Sequence, residues 1–314
     1  MVAGRSIKKT PFYKEEKFRT GLFIFSLVII PLIQFAIFWV YVSFDTVALT
    51  FQRYNIRTGG YEWFGIERYK QVISEYILGT DGHPASHRIF LNSFHGLAVA
   101  ALQLPIVYIC AYVFYKQVPM QKFFRFCFYL PGIISVSVLT LSFRNMFHPE
   151  FGPIKMLFDK LGYNRLWLDS ESEQMWPLIY LYSILTASTG VITLNGAMNR
   201  IPEDIREYGK LEGIGFWREA FQIVLPLVMP TVGVSLIGIP TAIFGFCPML
   251  IAVDPGVGNK FYTVSWMIID ATKSGSQNAM MLASTLGIAM TVMVTPFVIL
   301  VSFLVNKFTP DVDF

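Results

Sequence analysis

Charge is scarce in this chain. Only 15% of its 314 residues are Asp, Glu, Lys or Arg, while 54% are hydrophobic; a soluble domain carries roughly 25% charged residues. The deficit excludes an ordinary water-soluble globule and implies that most of the chain meets lipid or other buried helices. Cysteine is scarcer still. Cys110, Cys127 and Cys247 lie singly inside apolar runs, which argues against a disulfide framework and a zinc site and leaves them as small packing residues. The histidines His83, His87, His95 and His148 show no metal-ligand spacing on an expected helix. His83 and His87 lie one helical turn apart, but Pro84 between them favours a turn. Two catalytic motifs are missing: the Gly-x-x-x-x-Gly-Lys-Ser/Thr phosphate loop and the Gly-x-Ser-x-Gly elbow. The chain therefore holds no ATP-driven motor of its own. The apolar runs contain no cluster of His, Asp or Glu, against an intramembrane enzyme. They contain no midplane charge or internal repeat either, against a self-sufficient secondary transporter or channel. No cofactor or metal is expected on this chain. The net charge of +4 arises from basic residues scattered among acidic ones, which suits cytoplasmic loops better than a nucleic-acid-binding face.

What the chain does have is long uncharged stretches. A bilayer core needs roughly 20 apolar residues in a helix, and six stretches meet or approach that: Gly21–Phe44, Ile89–Tyr115, Phe126–Phe143, Gln174–Asn199, Ala220–Val253 and Ser274–Asn306. The first is too long for the apolar core of a signal peptide, about 7–15 residues, and reads as an uncleaved transmembrane helix. The fifth is too long to lie wholly in hydrocarbon. Pro226, Pro230, Pro240 and Pro248 interrupt it, so kinks or a break are expected. The patch Phe261–Ile269 is too short to span and is expected at the interface or in a re-entrant turn. The expectation is an all-α membrane protein of about six transmembrane helices. Its parts are a tail over 1–20, a membrane domain over 21–308 and a second tail over 309–314. Between the first two spans, Gly59-Gly60 and the segment from Gly79 to Pro84 read as turns, and the aromatic residues Tyr54, Tyr61, Trp63, Phe64 and Tyr69 suit the headgroup level.

Orientation rests on short basic segments near helix ends. Lys8, Lys9, Lys14, Lys17 and Arg19 precede the first span, and Lys116, Lys122 and Arg125 fill the short connection after the second. Both termini are therefore placed on the cytoplasmic side of a cell membrane. Uncompensated polar atoms are costly in hydrocarbon and face the bundle interior or a wet cavity. The candidates for a solute path are Asn92, His95 and Gln103 on the second span, Tyr180, Tyr182, Thr186 and Asn195 on the fourth, and Trp266 before the last. Asn92, His95 and Gln103 are spaced to share one helical face. Aromatic rings with hydrogen-bonding groups suit a sugar, although for any one residue helix packing is the simpler role. Arg144, at the outer end of the third span, is the one visible cation for an acidic glycan such as a uronide.

One inner connection differs from the rest. In segment 199–222, Pro202 opens a helix, and Glu203 and Asp204 complement its dipole. Ile205, Tyr208 and Leu211 form an apolar stripe, and Gly213 and Gly215 end the helix in a turn. Phe216 to Ile223 then leads into the membrane. Such a helix–turn–helix fits the groove of a soluble partner.

The residues Ile201, Pro202, Glu207, Gly209, Glu212, Gly213, Ile223, Leu225, Pro226 and Pro230 resemble the EAA loop of binding-protein-dependent permeases, the type I ABC importers of bacteria. The likeness is closest to the carbohydrate branch that includes the maltose permease. Tyr208 and Gly209 stand where that family has alanines, and Glu212 stands where Asp is usual. Arg125 to Pro131, followed by Phe147 to Gly152, is similar to the family's third-helix signature, and Asn92-Ser93 opens the second helix as in the family. The resemblance covers roughly residues 20 to 308. It implies that the loop is a cytoplasmic coupling helix docked on an ATPase, with Glu207 meeting a basic group and Gly213 permitting the turn. It further implies two ATP-binding subunits that hold ATP and Mg, a second, distinct permease and an external solute-binding protein. The implied function is ATP-driven import of an oligosaccharide or related glycosyl solute. Polyamines, amino acids and phosphate remain alternatives.

Overall fold

The structure, a computed structural model, describes residues 12–79, 84–148, 150–162, 175–247 and 260–309. The chain divides into two compact units, 1–66 and 67–314.

In the first unit, α1 (Phe12–Phe35) runs through a π-helical stretch, Ala36–Tyr41, into α2 (Val42–Thr50). Arg19–Thr50 forms one apolar helix long enough to cross a membrane. A departure from an all-helical expectation follows: β1 (Gln52–Asn55) and β2 (Gly60–Trp63) pair as an antiparallel hairpin. Its tip contains Gly59, whose φ is +65°, a conformation cheap for glycine alone. The Asn55 amide donates to Glu62 Oε1 at 2.6 Å, and Tyr54 meets Tyr61 edge to face across the strands.

The second unit is helical among its described residues. It begins with α3 (Glu67–Val72), which continues as a π-turn to Leu78, then α4 (Pro84–Ser93) and α5 (His95–Tyr115). Ser86–Tyr115 reads as one span. Next, α6 (Gln121–Ile133) and α7 (Val136–Met146) meet at 107°. Ile134 and Ser135 are extended at the corner, just after Pro131-Gly132. After α8 (Pro153–Lys160) come α9 (Met175–Leu185) and α10 (Ser188–Met198), together a further span. The segment after Met198 contains α11 (Glu203–Leu211) and α12 (Phe216–Arg218), which passes through a π-turn, Glu219–Val224, into α13 (Leu225–Leu227). There α14 (Met229–Gly238) leaves at 80°, which is the break expected from the prolines. Pro226 cannot donate to the carbonyl of Gln222 one turn earlier, and the helix widens there. Finally come α15 (Ala242–Gly245), α16 (Val264–Ser274) and α17 (Gln277–Phe308).

Among the described residues, four helices are long and apolar enough to cross a membrane, or up to six if each bent pair is one span. The short patch at Phe261–Ile269 packs inward: Phe261 and Trp266 are buried beside Met175, Ile179 and Phe246. Pro248 and the segments 80–83 and 163–174 lie outside the described residues, as does His83.

Close backbone approaches explain two glycines. A Cβ on Gly96 of α5 would lie 2.8 Å from Ala242 O and from Phe246 Cβ, so α15 packs directly on α5. A Cβ on Gly152 would lie 2.5 Å from His148 N and 2.6 Å from its carbonyl oxygen. Both obstacles are main-chain atoms with no rotamer to yield. Gly152→Ala is therefore expected to cost about 1–3 kcal/mol through forced backbone movement, read as a lowered Tm of the detergent-purified chain. An unchanged Tm would mean that the turn is not held this tightly.

Candidate functional site

Two features in the second unit carry functional groups, one in mid-bundle and one at the end where α5 and α10 terminate. The first is a cavity of about 290 Å³ between α5, α7, α9 and α15. Gly96, Ala100 and Gln103 of α5 line it, at the four- and three-residue spacings that place them on one helical face. Val136 and Thr140 reach it because α7 turns away from α6 at the corner. Tyr182, Ser183 and Thr186 complete the polar side. The hydroxyls of Thr140 and Tyr182 are 2.6 Å apart. Gln103 Nε2 donates to Ser183 O, and Thr186 Oγ1 donates to the Ser183 and Tyr182 carbonyls, each at 3.1 Å. The lining holds hydroxyl and amide groups but no Asp, Glu, Lys or Arg among the described residues. It can take up a polar, hydrogen-bonding solute without an opposing charge.

Of the path candidates, the structure brings Gln103, Tyr182 and Thr186 together here. His95 lies alongside: its Nδ1 is 2.9 Å from the Tyr180 hydroxyl, and its ring stacks on Trp176 at 3.8 Å. Asn92 sits farther along, where its amide donates to Lys260 O at 2.6 Å and Tyr262 O at 2.9 Å. The pair ties α4 to the chain entering α16. Asn195 is buried near the opposite end of the bundle. Its Nδ2 donates to Ala111 O at 3.1 Å, and its Oδ1 accepts from Asn199 Nδ2, Arg125 Nη2 and Tyr129 OH. Arg144 is not in the cavity lining, and its Nε is buried without a hydrogen-bond partner. Trp266 packs in the core with Phe261. Among the described residues no group of three His, Cys, Asp or Glu could hold a metal.

The second feature is the segment after α10. Helix α11 ends as a Schellman turn: Gly213 adopts φ +65°, and Ile214 N–H donates to Gly209 O at 3.1 Å. Ile205 packs toward the bundle, while Glu207, Tyr208, Leu211 and Glu212 are exposed. Tyr208 is 68% and Leu211 83% exposed, so two of the three stripe residues have no cover among the described residues. From Gly215 the chain turns back, and α5 grips it at three points. Tyr108 OH donates to Ala220 O, Tyr112 OH to Phe216 O at 3.2 Å, and Lys116 Nζ pairs with Glu219 Oε2 at 2.6 Å. Residues 108, 112 and 116 are successive turns of one face. The helix that lines the cavity through Ala100 and Gln103 is thus bonded at its far end to residues 216–220, which follow the turn at Gly213. Leu225 is half-buried and Pro226 exposed where this turn enters the membrane-length helices.

The sequence pointed to no functional role for Thr140, Ser183 or Glu219, and Lys116 entered only as an orientation signal. Small hydroxyl residues in spans are common, and nothing local marks two of them as facing a cavity. Glu219 did carry a signal, as an acid directly abutting an apolar run beside a short basic connection.

Comparison with known proteins agrees with this layout. The family model described as "Binding-protein-dependent transport system inner membrane component" matches residues 17–314. The chain is 24% identical over 208 residues to "Probable ABC transporter permease protein YurN" of Bacillus subtilis (strain 168), covering 64% of this chain and 68% of that protein. It is 28% identical over 146 residues to "Sulfoquinovosyl glycerol transport system permease protein SmoG" of Agrobacterium fabrum, covering 46% of this chain but only 44% of that protein. The fold is similar to a chain in the crystal structure of a bacterial ABC transporter involved in the import of the acidic polysaccharide alginate. There the TM-score is 0.78 at 16% identity, over 95% of this chain and 100% of that one.

Proposed function

We propose, from the premise that this chain belongs to the family of binding-protein-dependent transport system inner membrane components, that it passes a glycosyl solute through the α5–α7–α9–α15 cavity. The chain is a multi-pass membrane protein and a permease subunit of an ABC importer. The solute class is our reading, and it is supported by the hydroxyl and amide groups of Gln103, Thr140, Tyr182, Ser183 and Thr186 in an otherwise apolar, uncharged lining, which suits a neutral part of a solute rich in hydroxyls. Two of the similar transporters are named for sulfoquinovosyl glycerol and for alginate, which are glycosyl compounds as well.

The assembly we infer has a second, distinct permease, two ATP-binding subunits that hold ATP and Mg, and an external binding protein. Both termini face the cytoplasm, with tails at 1–20 and 309–314 and the membrane domain between them. The coupling segment comprises exposed Glu207, Glu212 and Gly213 with the buried Gly209 beneath them, and the chain beyond it, Leu225 and Pro226, carries movement into the bundle. The observation that carries this assignment is the exposed Glu207–Tyr208–Leu211 face on a turn that α5 holds by three bonds.

Glu207→Arg, placed in the complete importer, tests the reading. Reversing one charge at a docking surface costs several kcal/mol, so binding-protein-stimulated ATP hydrolysis is expected to fall at least about tenfold, with loss of the co-purifying ATPase. Wild-type coupling in that variant would remove Glu207 from the docking surface. A functional wild-type chain that purifies without any ATPase would remove the proposed assembly.

A further inference from the structure

A second cavity lies at the end of the bundle far from the coupling turn. It measures about 360 Å³, and its described lining is Arg88, Asn92, Trp176, Lys260 and Phe261. This recess differs in character from the mid-bundle cavity, because its lining holds two cations and no carboxylate among the described residues. Arg88 enters none of the ion pairs among them. Arg88 and Asn92 are one turn apart on α4, so they project from one face. The Asn92 amide holds the main chain of Lys260 at 2.6 Å, which fixes the second cation's backbone against the first cation's helix. This bond anchors the Lys260 main chain to α4, and the Arg88 side chain on the same helix is exposed.

Position and neighbours point to a use. Arg88 and Lys116 stand at opposite ends of the Ser86–Tyr115 span, about 40 Å apart at ~1.5 Å per residue. Since Lys116 holds the coupling turn, the recess opens toward the side from which an importer receives its solute. Trp176 forms its inner wall. That ring stacks on His95 at 3.8 Å and lies parallel to Phe246 at 6.4 Å, and Phe246 lines the mid-bundle cavity. One aromatic layer thus stands between a cationic recess and an uncharged cavity on the same route.

We infer that this recess is an entry subsite for the anionic group, a carboxylate or sulfonate, of an acidic glycosyl solute, with Arg88 and Lys260 as its counter-ions. The inference rests on the glycosyl-solute reading above and refines it to acidic members of that class. Guanidinium and ammonium groups make charge-assisted hydrogen bonds to such anions. The cavity beyond offers only neutral donors and acceptors, so discrimination by charge belongs at the recess. Arg144 does not share this position: it lines neither cavity.

The test uses the complete importer in proteoliposomes with its binding protein and two probes, a uronate oligosaccharide and the same oligosaccharide with its carboxyl groups reduced to hydroxymethyl. The quantity read is the ratio of acidic to neutral uptake, which cancels any loss of folded transporter. Arg88→Gln and Lys260→Gln are each expected to lower that ratio about tenfold, as for loss of one charge-assisted bond, chiefly through KM for the acidic probe. Arg88→Lys is expected to restore most of it, and rising ionic strength to lower it in wild type. An unchanged ratio in both Gln variants overturns the subsite while leaving the glycosyl reading standing. A wild-type importer that takes up neither probe overturns both. The phosphate of a lipid headgroup would meet the same two cations. A ratio that follows the anionic-lipid content of the vesicles, and not the charge of the solute, would assign the recess to lipid and overturn the solute subsite.

Discussion

Lys116→Met is expected to destabilise the permease by about 3–5 kcal/mol, the cost of leaving a buried ionic partner without its counter-charge. The pair is asymmetric. The Glu219 side chain is 6% exposed and the Lys116 side chain 21%. Removing the lysine strands a carboxylate in the packed junction of α5 and the coupling turn, beside the buried Ala220 and Val224. Removing the acid strands an ammonium on a flexible stem, which can carry its charge to water. Glu219→Gln is accordingly expected to cost only about 1–2 kcal/mol, the order of one lost charged hydrogen bond. The double variant Lys116→Met, Glu219→Met should recover most of the loss, because an apolar pair of similar volume removes both desolvation terms. Thermal unfolding of the four detergent-purified proteins orders them directly. A Lys116 variant no less stable than the Glu219 variant would show that the junction is wet and the pair contributes little, as at an exposed site.

The same pair has a functional consequence separable from stability. Tyr108 and Tyr112 hold the turn through main-chain carbonyls, so they fix its distance from α5 whatever its charge. The Lys116–Glu219 ion pair adds the charge-dependent tie between this segment and α5. The double Met variant, though stable, is therefore expected to hydrolyse ATP with weakened transport per ATP.

Much of the membrane architecture was legible because its cause is local. A run such as Gln277–Phe308 has few alternatives to a spanning helix, and the prolines of the fifth stretch announced its break. The helix Glu203–Leu211 and its closing turn were legible for the same reason: Pro202, the acids after it and Gly213 each act within one helical turn. The hairpin at Gln52–Asn55 and Gly60–Trp63 was read only as a turn. Its strands are four residues long and carry no clean apolar alternation, so periodicity had nothing to detect. The polar residues of the spans were legible as a set but not as a place. Asn92, His95 and Gln103 share a helical side as their spacing suggests, yet each finds a different partner: a main-chain carbonyl 168 residues away, the Tyr180 hydroxyl and Ser183 O. Lys116 and Glu219, 103 residues apart, and Arg88 and Lys260 are joined only by the fold. No local pattern could have paired them.

The mid-bundle cavity leads to the largest expected effect on transport. Ala100 is the small residue between Gly96 and Gln103 on the lining face of α5. An indole in its place would occupy much of a 290 Å³ space and cover the Gln103 amide. Ala100→Trp is therefore expected to reduce solute uptake about 100-fold or more, a rise of roughly 2.7 kcal/mol in the translocation barrier at 1.36 kcal/mol per decade. The added ring enters existing space, so the stability cost should stay within the roughly 1–3 kcal/mol of ordinary overpacking. The coupling turn lies at the far end of α5, so ATP hydrolysis by the assembled importer should persist while transport fails. Ala98→Trp supplies the comparison, since Ala98 lies on the same helix but is exposed; uptake there should stay near wild type. The measurement is the initial rate of labelled-solute uptake alongside phosphate release. Loss in Ala100→Trp with retention in Ala98→Trp places the solute in the cavity. Equal rates in the two variants would mean that it crosses by another route, and the hydroxyl and amide groups around Gln103 would then serve only to hold α5 and α9 together.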